Sequence, residues 1–309
     1  MDRLRAGEVE LCCERLGDPG DPVLLLVAGH GAQLQWWDDR LCASLVAEGY
    51  CVVRYDNRDV GGSTSFAAAG QPDLGALLCG ERADVPYTLW SMADDAAGLL
   101  DALGIADAHV VGVSMGGMIG QCLAIAHGPR VRSLCSIMST TGAPGVGTMT
   151  RETVEELMAL QAAVADPVER DVATGRRFAS PGFAFDEAYV RARAERHYAR
   201  GEPEGGVVRQ LAAMLASGDR TAALSRLDVP TLVVHGDADA MVPVDGGEAT
   251  ARAVPGAELL IVPGLAHELP PAAWPRIVGA IVAVARRADA GRKPPAAPAA
   301  DRIGHEQGG

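Results

Sequence analysis

The sequence predicts an α/β fold: a mostly parallel, doubly wound β-sheet with helices on both faces and an inserted helical cap. Short runs rich in Val, Ile and Leu recur along the chain, with helix-like stretches between them, and one long interval contains helices only. The chain has 309 residues, of which 48% are hydrophobic and 22% are charged. This composition is typical of a globular chain with a hydrophobic core, so it excludes a chain that is disordered throughout.

The predicted strands are continuous apolar runs, which suit strands buried on both faces of a parallel sheet. Helix-like apolar spacing lies between them, as at 36–48 and 92–103, and this alternation predicts the doubly wound sheet. The predicted strands are 23–28, 51–56, 109–114, 134–140, 231–237 and 258–264.

The interval between residues 141 and 228 has no strong strand run, and its composition predicts successive helices at 149–166, 186–201 and 206–219. Because so long an interval is unusual for one crossover, we predict a helical cap at 142–227 inserted into a core domain formed by 1–141 and 228–287. Ordinary crossover helices are the alternative. Pro, Ala, Gly and polar residues without apolar periodicity predict a disordered C-terminal tail at 288–309.

The chain is acidic, with 40 Asp and Glu against 27 Lys and Arg and a formal net charge of −13. Binding to nucleic acid or to an anionic membrane surface is therefore disfavoured, because phosphate recognition needs clustered positive charge. The N-terminus lacks the apolar stretch of a signal peptide, and the longest apolar run falls far short of the ~20 residues that span a bilayer. We predict a cytoplasmic protein, and no feature of the sequence indicates an oligomeric state.

The seven cysteines form no C-x-x-C pair and no Cys/His cluster with zinc spacing. We predict buried free thiols and neither a metal site nor an organic cofactor.

The strongest motif is Gly112-Val113-Ser114-Met115-Gly116, which has the G-x-S-x-G pattern of a nucleophile elbow. A predicted strand precedes it and a helix-like segment follows it, as the motif requires. A serine hydroxyl is a weak nucleophile, so it must be presented on a sharp turn where a base can take its proton. We predict a catalytic Ser114; the alternative is a glycine-rich turn with an incidental serine.

An acid and a base follow the last two predicted strands. His267 lies after the final strand and Asp239 after the strand before it, so the chain order is Ser114, Asp239, His267. A serine nucleophile needs a histidine as base and an acid to hold the far nitrogen of that histidine. Asp237 is the competing acid, because it lies nearer the strand end.

A tetrahedral oxyanion needs fixed N–H donors, and two are predicted. One is the backbone N–H of Met115, at the start of the helix that follows Ser114. The other is the backbone N–H of His30, in the segment Ala28-Gly29-His30-Gly31 after the first long strand. Gly31 or Ala32 are the alternative donors, and in that case His30 is a loop histidine without a role.

With these segments in place, the chain resembles the α/β-hydrolase superfamily, and within it the branch that contains aclacinomycin methylesterase. The resemblance extends from about residue 8 to residue 284 and is weakest in the predicted cap. It implies Ser114 as nucleophile, Asp239 as triad acid and His267 as base, with the His30 and Met115 amides as the oxyanion hole. It also favours Asp239 over Asp237.

The segment RYDNRDVGGST resembles the family's D-x-R-x-x-G-x-S stretch. Its polar residues could be mistaken for catalytic groups, but we interpret them as structural, with glycines making the turn and charges that pair or cap nearby helices. They are Asp56, Arg58, Asp59 and Ser63. Aromatic residues make up only 4% of the chain, so Trp36, Trp37 and Trp90 are candidate pocket walls.

These observations predict a serine hydrolase that cleaves a small, largely apolar carboxylic ester through an acyl-enzyme intermediate. The same triad also serves C–C bond hydrolysis, lactone hydrolysis and perhydrolysis, which stay as alternatives. A ligand-binding receptor on the hydrolase fold and an acyltransferase are further alternatives.

Overall fold

A computed structural model describes residues 1–291 of the chain and contains an 8-stranded sheet in the order β1-β2-β4-β3-β5-β6-β7-β8. The six strands from β3 to β8 pair in parallel, whereas β1 and β2 pair antiparallel. The predicted mostly parallel, doubly wound sheet is therefore confirmed. The strands are β1 (Asp2–Ala6), β2 (Val9–Leu16), β3 (Val23–Val27), β4 (Cys51–Tyr55), β5 (Ala108–Val113), β6 (Val131–Ile137), β7 (Thr231–Gly236) and β8 (Glu258–Val262).

The edge hairpin β1–β2 was not predicted from the sequence. β1 is mostly exposed, and charged residues interrupt the apolar ones along both strands, so neither strand contains a long apolar run. A hairpin at the edge of a sheet is partly exposed to water. It therefore lacks the continuous apolar runs that identified the central strands.

Helices pack on both faces of the sheet. The helices of the described residues are α1 (Asp39–Ala47), α2 (Leu74–Leu78), α3 (Leu89–Ala102), α4 (Met115–Ala126), α5 (Arg151–Ala163), α6 (Pro167–Arg177), α7 (Glu187–Ala199), α8 (Gly206–Ala216), α9 (Thr221–Leu224), α10 (Asp245–Ala253) and α11 (Trp274–Ala290). Helices α3 and α4 bury Leu99 and Ile119 against one face of the sheet. On the other face, α1 and α11 bury Leu41 and Ile277. The two apolar clusters account for the continuous apolar runs in the central strands, because β3, β4, β5 and β6 each contribute side chains to both.

Helices α5 to α9, called the inserted helices below, lie between β6 and β7. Helix α6 was not predicted, because its segment is strongly polar and buries only Val172. The carboxylate of Asp166 nevertheless caps it by accepting the Glu169 N–H, and Pro167 occupies its first turn.

Helix α11 continues through Ala290, so the helix extends past the predicted domain boundary at residue 287. The remainder of the predicted tail, 292–309, lies outside the described residues. Among residues 1–291, no helix combines the length and the hydropathy needed to cross a membrane. The cysteines are free thiols, and all are buried except Cys79, whose predicted burial is wrong because it ends the short surface helix α2.

Parallel strands present their carboxyl ends at one edge of the sheet, and ligands of open α/β sheets bind there. The loops after β3, β5, β7 and β8 therefore meet at this edge. They carry residues 28–34, Ser114, residues 237–242 and residues 263–268 respectively.

Candidate active site

Ser114 occupies a sharp turn between β5 and α4 and has a φ of 55°, in the left-handed region that non-glycine residues rarely adopt. Two glycines make the turn possible. A Cβ on Gly112 would lie 2.1 Å from the carbonyl oxygen of Gly116, and a Cβ on Gly116 would lie 2.2 Å from the carbonyl oxygen of Val27. The glycines of the G-x-S-x-G motif therefore let the helix start directly against two strands.

The side chains of Ser114, His267 and Asp239 form a hydrogen-bonded row. The Oγ of Ser114 lies 3.0 Å from Nε2 of His267, and Nδ1 of His267 lies 2.7 Å from Oδ2 of Asp239. Because a carboxylate accepts, Nδ1 carries the proton and Nε2 is left to accept from the serine hydroxyl. The other carboxylate oxygen of Asp239 accepts the N–H groups of Met241 and Val242, both at 2.9 Å.

The competing acid, Asp237, lies elsewhere. Its side chain is exposed and accepts the N–H of Gly264 at 2.6 Å, which ties the end of β7 to the loop that carries His267. The geometry thus places Asp239, and not Asp237, beside the imidazole.

His235 lies behind Asp239 and is fully buried. Its Nε2 donates to the Val242 carbonyl at 2.8 Å and lies 3.7 Å from Oδ2 of Asp239. Burial lowers the pKa of His235, so the ring is neutral and serves to support the turn that holds Asp239.

The loop after β3, residues 28–34, runs alongside Ser114. A Cβ on Gly29 would lie 3.3 Å from the Cβ of Ser114, a tight contact, so a larger residue here would crowd the serine. The N–H of Gly31 donates to Oε1 of Gln210 at 2.8 Å, and the N–H of Ala32 donates to the Gly29 carbonyl at 3.2 Å. Both alternative oxyanion donors are therefore already engaged within the protein.

The ring of His30 points toward α8, where its Nε2 donates to the Val207 carbonyl at 2.7 Å. Burial lowers the pKa of His30, which keeps the imidazole neutral. Within the described residues, neither the backbone N–H of His30 nor that of Met115 has a hydrogen-bond partner. The role of these two amides as an oxyanion hole stays a prediction.

The charged segment after β4 has structural contacts, in agreement with its interpretation from the sequence. Asp56 accepts the N–H of Leu34 at 2.7 Å and pairs with Arg200 at 2.6 Å. Its companions are likewise engaged: Arg58 binds Asp95 through two bonds of 2.6 Å, Asp59 binds Arg209 through two bonds of 2.8 Å, and the Ser63 hydroxyl donates to the Asp56 carbonyl at 2.6 Å.

A cavity of about 480 Å³ opens onto the site, and both His30 and His267 line it. The inserted helices provide much of the opposite wall, which is rich in polar and charged side chains. These are Gln161, Arg170, Asp171, Thr174, Arg193, His197, Tyr198 and Glu202. Apolar side chains, among them Phe178, Val190 and Ala194, complete the wall, so its character is mixed.

Of the candidate aromatic walls, only Trp36 lines the cavity. Trp37 is buried, and its ring makes an edge-to-face contact with the ring of Trp36, with the centroids 5.2 Å apart. Trp90 lies on α3 and packs against the core cluster on the face of the sheet that α3 and α4 cover.

The loop between α6 and α7 contacts the segment that carries His267. The Ala266 N–H donates to the buried Ser180 hydroxyl at 2.9 Å, and the Ser180 N–H donates to the Glu268 carboxylate at 2.8 Å. The Gly182 N–H donates to the Gly264 carbonyl at 2.9 Å, where a Cβ on Gly182 would lie 2.9 Å from the Gly264 Cα. The inserted helices are thus joined to the histidine loop as well as covering it.

Comparison with known proteins decides the family. The sequence matches the alpha/beta hydrolase fold family over residues 21–270. The chain belongs to this family. Rhodomycin D methylesterase DnrP from Streptomyces peucetius is 31% identical to this hydrolase, over 91% of the chain and 96% of its own length. The predicted resemblance to the methylesterase branch is confirmed.

The hydrolase is also similar to an enol-lactonase in sequence and to an esterase in structure. The 3-oxoadipate enol-lactonase 2 of Acinetobacter baylyi is 27% identical over 80% of the chain and 82% of its own length. The structure of a thermophilic esterase from Thermogutta terrifontis superposes with a TM-score of 0.68 and 25% identity. That match covers 93% of this chain and 98% of the esterase.

Proposed function

We propose that this hydrolase cleaves carboxylic esters by nucleophilic catalysis at Ser114, with His267 as base and Asp239 as the acid that orients it. The observation that carries the proposal is the continuous row of hydrogen bonds, 3.0 Å from Ser114 to His267 and 2.7 Å from His267 to Asp239. The similarity to a methylesterase supports ester hydrolysis as the reaction class.

In the first half of the reaction, Nε2 of His267 takes the hydroxyl proton as Oγ of Ser114 bonds to the ester carbonyl carbon. The carbonyl oxygen becomes an oxyanion, which the backbone N–H groups of His30 and Met115 stabilise. When the tetrahedral intermediate collapses, the C–O bond to the alcohol breaks, and Nε2 gives its proton to the leaving oxygen. The product at this stage is an acyl-Ser114 ester.

In the second half, His267 takes a proton from water, and the hydroxide oxygen bonds to the acyl carbon. Collapse of this intermediate breaks the bond to Oγ, which receives the proton back from Nε2, and the carboxylic acid leaves. Asp239 holds the Nδ1–H of His267 throughout and stabilises the imidazolium that forms twice in the cycle.

We propose a methyl ester of a polar, multifunctional acid as the substrate, and residues 142–227 as the cap that selects it. A methyl group needs no pocket of its own, so the cavity is available to the acyl part. Its wall offers donors such as Arg170 and acceptors such as Asp171, and Trp36 offers a flat apolar surface. Such a wall suits a molecule that combines ring surface with hydroxyl or carbonyl groups.

The enol-lactonase relative supports one alternative substrate, a lactone, which is a cyclic ester opened by the same steps. C–C bond hydrolysis, perhydrolysis, acyl transfer to an alcohol or amine, and simple ligand binding are outcomes that the following experiment separates.

The test combines labelling with a substrate panel. A fluorophosphonate probe followed by peptide mass spectrometry should modify Ser114 in the wild type, and no modification should occur in Ser114→Ala. Turnover of p-nitrophenyl acetate and of aromatic methyl esters should be lost in the same variant, while lactones and vinylogous diketones test the alternatives. Labelling at another residue, or turnover of a diketone without turnover of any ester, would refute the proposal.

A further inference from the structure

Helix α8 contacts the loop after β3, residues 28–34, through a fully buried side chain, Gln210; this loop is called the oxyanion loop below. Its amide oxygen accepts the N–H of Gly31 at 2.8 Å, and its amide nitrogen donates to the carbonyl of Arg58 at 2.8 Å. Both ends of the side chain are therefore engaged, and these two bonds connect the loop after β3 to the segment after β4. Gln210 belongs to none of the motifs that the sequence revealed, because it lies far from them along the chain.

Helix α8 is itself held firmly at this position. Arg209, the neighbour of Gln210, pairs with the buried carboxylate of Asp59 through two bonds of 2.8 Å. A Cβ on Gly206 would lie 2.2 Å from the Asp59 carbonyl oxygen, so the start of the helix packs directly against this backbone. The first turn of α8 also accepts the His30 ring N–H through the carbonyl of Val207. Gln210 is thus a fixed acceptor and not a mobile side chain.

Three backbone N–H groups of the oxyanion loop have identified acceptors. Gly31 donates to Gln210, Ala32 donates to the carbonyl of Gly29, and Leu34 donates to the carboxylate of Asp56. Gly31 has a φ of 66°, a conformation that suits glycine and sets the direction of the adjoining peptide planes. With the Gly31 N–H directed to α8, the preceding N–H, that of His30, is left without a partner within the described residues.

We propose that Gln210 is a positioning residue for the oxyanion hole. By holding the Gly31 amide it fixes the loop so that the His30 amide meets the developing oxyanion on the ester carbonyl. This inference rests on the proposed function, and it assigns part of the catalytic geometry to a side chain of the inserted helices. A donor misplaced by about 1 Å costs up to ~10²-fold in rate, so one hydrogen bond at this position can control kcat.

The test replaces Gln210 with Met, which keeps the side-chain volume and removes both hydrogen bonds. We expect kcat on p-nitrophenyl acetate to fall ~10- to 100-fold with KM little changed, because the loss is confined to the transition state. Affinity for a trifluoromethyl ketone, which forms a tetrahedral adduct on a serine nucleophile, should fall by the same factor. Gln210→Glu retains an acceptor for Gly31 and should recover most of the lost kcat. If Gln210→Met does not fold, Gln210→Asn, which is too short to make both bonds, takes its place.

The matched control is Gln121→Met, at another fully buried glutamine, whose amide oxygen accepts from Arg220 and whose amide nitrogen has no hydrogen-bond partner among residues 1–291. It should lower the melting temperature without changing kcat or the affinity for the ketone. The inference is wrong if folded Gln210→Met matches the wild type in both quantities, if its loss lies in KM alone, or if Gln210→Glu recovers nothing. A wild type that turns over no ester would refute the proposed function instead, so the two failures are distinct.

Discussion

Arg209 and Asp59 form a bidentate ion pair that is almost completely shielded from solvent, with both hydrogen bonds at 2.8 Å. The Tyr87 hydroxyl and the Phe66 N–H also donate to the Asp59 carboxylate, at 2.6 and 2.7 Å. This pair fastens α8 to the segment after β4. Burial by itself raises the pKa of Asp59, but these hydrogen bonds outweigh burial, and the pKa lies below its ordinary value.

Asp59→Asn is expected to destabilise the protein by about 3–5 kcal/mol near neutral pH, because Arg209 would be left buried without its counter-charge. Since the pKa of Asp59 is lower in the folded than in the unfolded state, its stabilising contribution is complete above the unfolded-state pKa of about 4. That contribution disappears as the pH falls through the folded-state value.

Chemical denaturation of the wild type and Asp59→Asn, at neutral pH and below about pH 4, checks this expectation. The difference in free energy of unfolding between the two proteins should become smaller on acidification. Glu155→Gln, which removes one partner of an exposed ion pair with Arg151, is the control and should change stability by no more than about 0.5 kcal/mol. If the difference in free energy of unfolding between wild type and Asp59→Asn stays constant with pH, the ionised Asp59 carboxylate is not the source of the stabilisation.

Equivalent substitutions of the two aspartates after β7 test which of them is the acid of the triad. Asp239→Asn should reduce kcat by about 10⁴-fold, because an amide next to Nδ1 of His267 favours the wrong tautomer. Asp237→Asn should leave kcat close to that of the wild type, since Asp237 binds only the Gly264 N–H. Steady-state kinetics with p-nitrophenyl acetate measures both, and equal losses would remove the distinction between the two acids.

One crowded glycine and one glycine in open space test the packing at the turn that carries Ser114. Gly112→Ala should abolish the native turn or destabilise the protein severely, because its Cβ would lie 2.1 Å from the carbonyl oxygen of Gly116. Gly279→Ala should stabilise it by about 0.4–1 kcal/mol, because this exposed position within α11 has no heavy atom within 4 Å of a new Cβ. Thermal denaturation of both variants checks the contrast, and a well-folded Gly112→Ala would contradict the close approach.

Ser180→Ala tests the connection between the inserted helices and His267. Loss of the hydroxyl leaves the buried N–H of Ala266 without an acceptor, which should cost about 1–3 kcal/mol of stability. We also expect kcat to fall, because the loop that carries His267 loses one of its attachments. Ser225→Ala removes an exposed hydroxyl that bonds only within its own turn, and it should change neither quantity. Parallel melting and kinetic measurements compare the two variants.

How far the sequence predicts the site depends on how local each signal is. The G-x-S-x-G turn, the two glycines it needs and the strand before it are adjacent in the chain, so they are visible in one short segment. Ser180, Arg209 and Gln210 lie in segments with ordinary helical or turn composition. Their importance comes from partners 86 to 179 residues away, and no periodicity records such contacts.

The sequence by itself determined the α/β class, the central parallel strands and the chain order of Ser114, Asp239 and His267, because buried strands and sharp glycine turns leave local patterns. Only the tertiary structure decided that Asp239 rather than Asp237 lies beside His267, and that Trp36 rather than Trp37 faces the cavity. It also showed that the cavity wall combines polar and charged side chains with apolar ones. Each of these depends on which side chains from distant segments share a hydrogen bond or a surface, and that is set by how the chain packs.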